Sequence, residues 1–172
     1  MQRWKIGDVT VTRIVEMQTP VPGTFLLPDA TPDRLAPHAA WLRPQFMDEA
    51  GNLIASIHAL VVESRGRRIV VDTCVGNDKP RVNAAWNRLQ LPFLRDLEAA
   101  GFARERIDAV LCTHLHVDHV GWNTMLVDGR WAPTFPNARY LFSRVEWEYW
   151  SAAPESHDGD VIGDSVRPIV DA

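Results

Sequence analysis

The chain has 172 residues, 46% of them hydrophobic, and a formal net charge of −4. That length can bury one substantial core, as one domain or part of one. Scattered Lys and Arg on an acidic chain argue against nucleic acid as main partner, no stretch approaches a membrane span, and two cysteines, Cys74 and Cys112, make no disulfide framework.

Met1-Gln2-Arg3-Trp4-Lys5 leads into a strand pattern with no signal-peptide core, so the cytoplasm is the expected compartment. Strands are predicted at about Trp4 to Ile6 and Val9 to Val15, joined by Gly7-Asp8, a good hairpin dipeptide. Pro20 to Pro44 is rich in proline and polar residues and reads as an irregular excursion, with His38 at most a flap contact. Ile57 to Glu63 and Arg67 to Asp72 read as a second hairpin around Ser64-Arg65-Gly66, with His58 a core or edge residue of its first strand. Pro92 to Ala100 fits a helix: Pro92 suits its first turn, Phe93, Leu94 and Leu97 share a face, and Gly101 suits the position past its end.

Ile107 to Cys112 reads as a buried strand, and it delivers Thr113-His114-Leu115-His116-Val117-Asp118-His119. Further on, Asp128-Gly129 joins strands at about Met125 to Val127 and Arg130 to Ala132. Ala138 to Phe142 is another strand and Arg144 to Trp150 a short helix, on which Trp147, Tyr149 and Trp150 have the spacing of core or interface residues. Strands early and helices late give a mixed α+β class.

Three imidazoles and a carboxylate within six positions set the chemistry. These are ligand types that borderline divalent metals such as zinc take. In an extended backbone His114 and His116 face one side. Asp118 and His119 are neighbours and diverge unless the chain turns there, and a turn makes room for a second metal. Packing alone gains nothing from such a cluster, which buried without a metal would leave polar groups to satisfy.

The H-x-H-x-D-H pattern of His114, His116, Asp118 and His119 resembles the signature of the metallo-β-lactamase-fold hydrolases. Val71-Asp72-Thr73 is similar to that family's strand ending in an Asp beside the metals, and Thr113 to Asn123 (THLHVDHVGWN) to its lactonase and organophosphate-hydrolase branch. The likeness runs from about Ile54 to Trp150. It implies an αββα sandwich of which only the first half is present, with residues 1–172 a domain truncated at its C-terminus. It further implies two zinc ions in the complete enzyme, one held by His114 and His116 and one by Asp118 and His119. Asp118 would also move a proton to the leaving group, and Asp72 would orient a metal-binding His through hydrogen bonds. The family completes both sites with a His in a Gly-His stretch, a bridging Asp and a late His. After His119 this chain offers only His157, in the polar stretch Pro154 to Asp160, which does not resemble those segments.

The expected function is therefore a metal-dependent hydrolase acting on a small-molecule ester or lactone, with organophosphates as promiscuous substrates and a homo-oligomer left open. The alternatives are a phosphodiesterase or nuclease of the same superfamily, disfavoured by the acidic chain, and an inactive fragment lacking ligands. A redox variant is disfavoured because the di-iron branch has Glu where this chain has His116. Around the motif, Cys112 reads as a small hydrophobe and Cys74 as a loop residue bordering the site. Trp122 suits a pocket wall or packing equally.

Overall fold

A computed structural model describes residues 2–152 and 158–172. They form two compact units, one of Met1–Glu16 with His58–Ala172 and the other of Met17–Ile57. The expectation for His157 falls outside the described residues.

In chain order, β1 (Gln2–Ile6) turns at Gly7 into β2 (Val9–Val21). The Met17–Ile57 unit then carries three single-turn helices, α1 (Gly23–Leu26), α2 (Pro32–Leu35) and α3 (Ala39–Leu42). The sequence predicts an irregular stretch here. Closely spaced prolines do keep each helix to one turn, because proline starts a helix well and cannot continue one. His38 lies here, edge-on to Trp41.

The other strands of the large sheet are β3 (Leu53–Ser64), β4 (Arg67–Val71), β5 (Ala109–Leu111) and a later β8 (Arg139–Leu141). Its order is β1-β2-β3-β4-β5-β8, antiparallel from β3 to β4 and parallel from β4 through β5 to β8. Between β3 and β4, Arg65 and Gly66 both take positive φ, as a two-residue hairpin turn needs, and Asp128-Gly129 repeats this between β6 (Thr124–Val127) and β7 (Arg130–Pro133). The register sets Val61 opposite Val70 and Val70 opposite Val110, all fully buried, so the core of the larger unit crosses three adjacent strands in one row. Each such side chain contributes about 1.5–3 kcal/mol.

Helix α4 (Phe93–Ala99) adds Phe93 and Leu97 to that core and stops where Gly101 takes φ +96°. β5 is shorter than expected and not buried throughout. Val110 points into the core while Leu111 is exposed, because successive strand residues face opposite sides. Past it come α5 (Val117–Val120), α6 (Arg144–Ala152), α7 (Val161–Ser165) and α8 (Arg167–Val170). Among the described residues no helix is long and apolar enough to cross a membrane.

Candidate metal centre

The site begins where the parallel strands β4 and β5 end side by side, the edge at which open α/β sheets place ligands. Asp72 follows β4 and donates its backbone N–H to Leu111 O at 2.9 Å, extending the ladder by one bond. It sits at φ +56°, a left-handed conformation that Asp tolerates better than most residues. The loop that follows lies against the chain around α5. Thr73 N–H donates to His119 O, Trp122 N–H to Thr73 O and Gly121 N–H to Cys74 O, each at 2.7 Å. A Cβ on Gly121 would lie 1.9 Å from Val75 O, so only glycine permits this approach.

Asp72 organises the polar side chains. Its Oδ1 accepts the Thr113 backbone N–H at 2.8 Å and its Oδ2 accepts the Thr113 hydroxyl at 2.9 Å. His119 Nδ1–H donates to Oδ2 at 2.8 Å. The Thr113 hydroxyl, having given its one proton to Asp72, accepts from His114 Nδ1–H at 3.0 Å. Both rings, one directly and one through Thr113, are thereby fixed with Nδ1 turned to Asp72 and Nε2 turned away.

The rings of His114 and His119 lie 4.0 Å apart between centroids, and those of His114 and His116 4.5 Å apart. His114 and His116 come together through bends rather than strand, with Leu115 buried between them. The turn expected at Asp118-His119 is α5, which leaves Asp118 Oδ2 3.3 Å from His119 Nε2.

Charge follows this geometry. Burial works against the His119 cation, but the hydrogen bonds it donates to Asp118 and Asp72 outweigh it and lift the imidazolium pKa to about 9. Burial also opposes ionisation of Asp72 and Asp118, and their hydrogen bonds, to His119 in both cases and to Thr113 in that of Asp72, hold both carboxyls below the usual range. His114 is pushed down, by burial first and then by His119 and His116, which favours the neutral form.

The donors fit a divalent metal in kind: imidazole Nε2 atoms oriented through Nδ1, and an ionised carboxylate. Two ligands of a tetrahedral zinc, each bonded at about 2.0–2.1 Å, lie about 3.3 Å apart, and Asp118 Oδ2 and His119 Nε2 are separated by that distance. Among the described residues no three His, Cys, Asp or Glu side chains are arranged to hold one ion.

The two thiols take no part. Burial pushes Cys112 up to about 12 and Cys74 well above its ordinary value, and both pack in the core. Trp122 is packing rather than pocket wall, buried and stacked on Phe93 at 5.6 Å. His58 is half-buried on β3. Of the two expectations for α6, core or interface, the core one needs correcting. The helix buries none of its residues, Tyr149 is exposed, and Trp150 stands edge-on to His116 at 5.4 Å. Helical spacing alone could not tell a core face from a face turned to the site.

Two supporting groups were not apparent in the sequence reading. Glu16 is buried on β2, where its carboxylate accepts the Val75 and Gly76 N–H groups at 2.8 and 3.0 Å and Trp122 Nε1–H at 2.7 Å. Its signal was available: Thr12, Ile14 and Glu16 alternate on the inward face of a strand, and a carboxylate there requires partners. The second is a buried ionic cluster. Arg81 makes a two-pronged pair with Asp164 at 2.6 and 2.9 Å, and Lys79 reaches Thr124 at 2.7 Å beneath the Trp131 ring.

A family model of the metallo-beta-lactamase superfamily matches residues 55–171. Among solved structures, hydrolase AbOPH of the beta lactamase superfamily is 24% identical with a TM-score of 0.62, over 86% of this chain and 46% of its own. A probable metal-dependent hydrolase from Staphylococcus aureus is 20% identical with a TM-score of 0.66, over 94% of this chain and 59% of its own. AidC, a dizinc quorum-quenching lactonase in complex with a product, is 20% identical with a TM-score of 0.61, over 89% of this chain and 48% of its own. This chain thus spans about half the length of the structures it matches, and at these identities the likeness carries the fold alone. No curated protein matches the sequence. With the family model covering well over half of it, the chain belongs to the metallo-beta-lactamase superfamily.

Proposed function

We propose that this chain carries the H-x-H-x-D-H half of a metal-dependent hydrolase acting on a small-molecule ester or lactone. The observation that carries the reading is the single carboxylate of Asp72, which fixes His114 through Thr113 and His119 directly, so that Nε2 of His114 faces away from it and Nε2 of His119 meets Asp118, with which it would share a metal after giving up its proton. His114 and His116 would hold one ion and Asp118 and His119 a second, with further ligands from outside the described residues. When bound, zinc supplies Lewis acidity and lowers the pKa of water to about 7. Asp118, ionised at neutral pH, takes the proton of the attacking water and returns it to the leaving alkoxide. Asp72 keeps the rings of His114 and His119 in one orientation throughout.

The similar structures, a probable metal-dependent hydrolase and a dizinc lactonase among them, support both metal and substrate class. The free, buried cysteines suit a reducing compartment, the cytoplasm.

The test is metal analysis and turnover of the whole protein purified without chelator. About two transition-metal ions per chain and faster cleavage of a lactone or aryl ester than of a phosphodiester are expected. Metal-free active protein would remove the reading. Phosphodiester turnover equal to or above that of the lactone would shift it to the phosphodiesterase branch.

A further inference from the structure

Glu146 lies on α6, 31 positions beyond Leu115 and outside the motif, yet it reaches back into it. One oxygen, Oε2, accepts two hydrogen bonds: the Leu115 backbone N–H at 3.0 Å and Trp150 Nε1–H at 3.1 Å. Leu115 separates His114 from His116, and its side chain is buried. With its N–H held by Glu146, that residue is anchored from both sides, and the short stretch between the two imidazoles is pinned.

The second bond acts on His116 more directly. Trp150 lies one turn after Glu146 on the same helix, where residues four apart are neighbours. Its indole N–H fixed on Oε2, it presents its ring edge-on to His116 at 5.4 Å and 79°. His114 and His119 have Asp72 to orient them, but among the described residues the ring contacts of His116 are His114 and Trp150. Since α6 buries none of its residues, Glu146 is not there for packing.

We infer that Glu146 is the positioning residue for His116, acting through the Leu115 amide and the Trp150 ring as Asp72 acts on His114 and His119. The inference rests on the metal-centre reading for its purpose, but the ring placement can be tested without metal. In this inference Glu146 acts as an acceptor of two N–H groups, although its carboxylate charge also faces His114 and His116. A glutamine carbonyl in place of Oε2 can accept both, whereas alanine accepts neither.

The experiment compares wild type, Glu146→Ala and Glu146→Gln of the whole protein. In the metal-free state, histidine ring NMR should show His116 displaced in the alanine variant, His119 unmoved, and both near their wild-type positions in the glutamine variant. In competition with a chelator, cobalt(II) should bind the alanine variant about 10- to 100-fold more weakly, the range found when a ligand's hydrogen-bonded support is removed. The glutamine variant should stay within about threefold of wild type on the same grounds. An unmoved His116 in Glu146→Ala overturns the inference, as does a glutamine variant as impaired as alanine, which would make the effect one of charge. If wild type itself binds no cobalt(II), the metal-centre reading falls, while the ring positions still decide the role of Glu146.

Discussion

Two charged clusters in the larger unit use the same side-chain chemistry to opposite ends. Around Asp164, Arg81 and Lys79 are sealed from solvent, and the carboxylate closes a two-pronged pair with Arg81 and receives the Ser165 hydroxyl at 2.6 Å. Around Asp72, the polar atoms are half-buried, and the inner nitrogens of His114 and His119 are committed while the outer ones turn toward the site, that of His119 beside Asp118. The closed cluster spends its hydrogen bonds on structure, with Arg81 Nε, among the described residues, the one buried nitrogen of Arg81 left without a partner. The open one keeps part of it for chemistry. Substitutions should therefore divide cleanly, the closed cluster showing its losses in stability and the open one in turnover and metal affinity.

The sharpest break is Asp164→Ala, which leaves two buried cations without their anion. It should cost about 3–5 kcal/mol, read from the urea midpoint, and a loss below 1 kcal/mol would erase the contrast. Asp118→Asn should do the reverse, lowering kcat by about 10²- to 10⁴-fold with KM and stability little changed. Gly121→Ala tests the backbone approach beneath the site. It should cost about 1–3 kcal/mol in denaturation, since Val75 must move aside. Asp72→Ala frees two imidazoles at once and should weaken metal binding about 10- to 100-fold by chelator competition.

The smallest effect lies in pH. Burial, against the pull of Asp164 and with a push from Arg81, lowers Lys79 to about 8, Asp78 being the other nearby charge. The unfolded lysine stays protonated to about 10.4. Between those values the unfolded chain binds more protons, so stability rises with pH from about 8 toward 10.4 and is flat for this group below that window. Unfolding of wild type and Lys79→Met at pH 7 and pH 10 checks the sign. The variant should lose the rise, and a wild-type decline traceable to Lys79 would contradict the direction.

What the sequence made legible was local. His114, His116, Asp118 and His119 lie within six positions, and the Arg65-Gly66 and Asp128-Gly129 turns announce themselves as dipeptides. Asp72 was legible by family likeness and its strand-end position. The partners of Glu16 and of the Lys79–Arg81–Asp164 cluster were not, because they lie 59 to 106 and 45 to 85 positions away and no pattern in one window encodes such a meeting. The orientation of α6 was missed for another reason. A helix with tryptophans at helical spacing looks the same whether they meet a core or a histidine.

The bond from Trp122 to Glu16 joins residues 106 positions apart, and those from Thr73 and Val75 into the same patch span 46 to 59. Such distant partners meet only after the strands between them have paired, since closing long loops costs entropy before any contact rewards it. The histidine-bearing loop can be made early as a peptide, but the cradle that shapes it must be among the last parts of the molecule to assemble. A chain still emerging from the ribosome would carry all four motif residues and yet have no organised place for an ion.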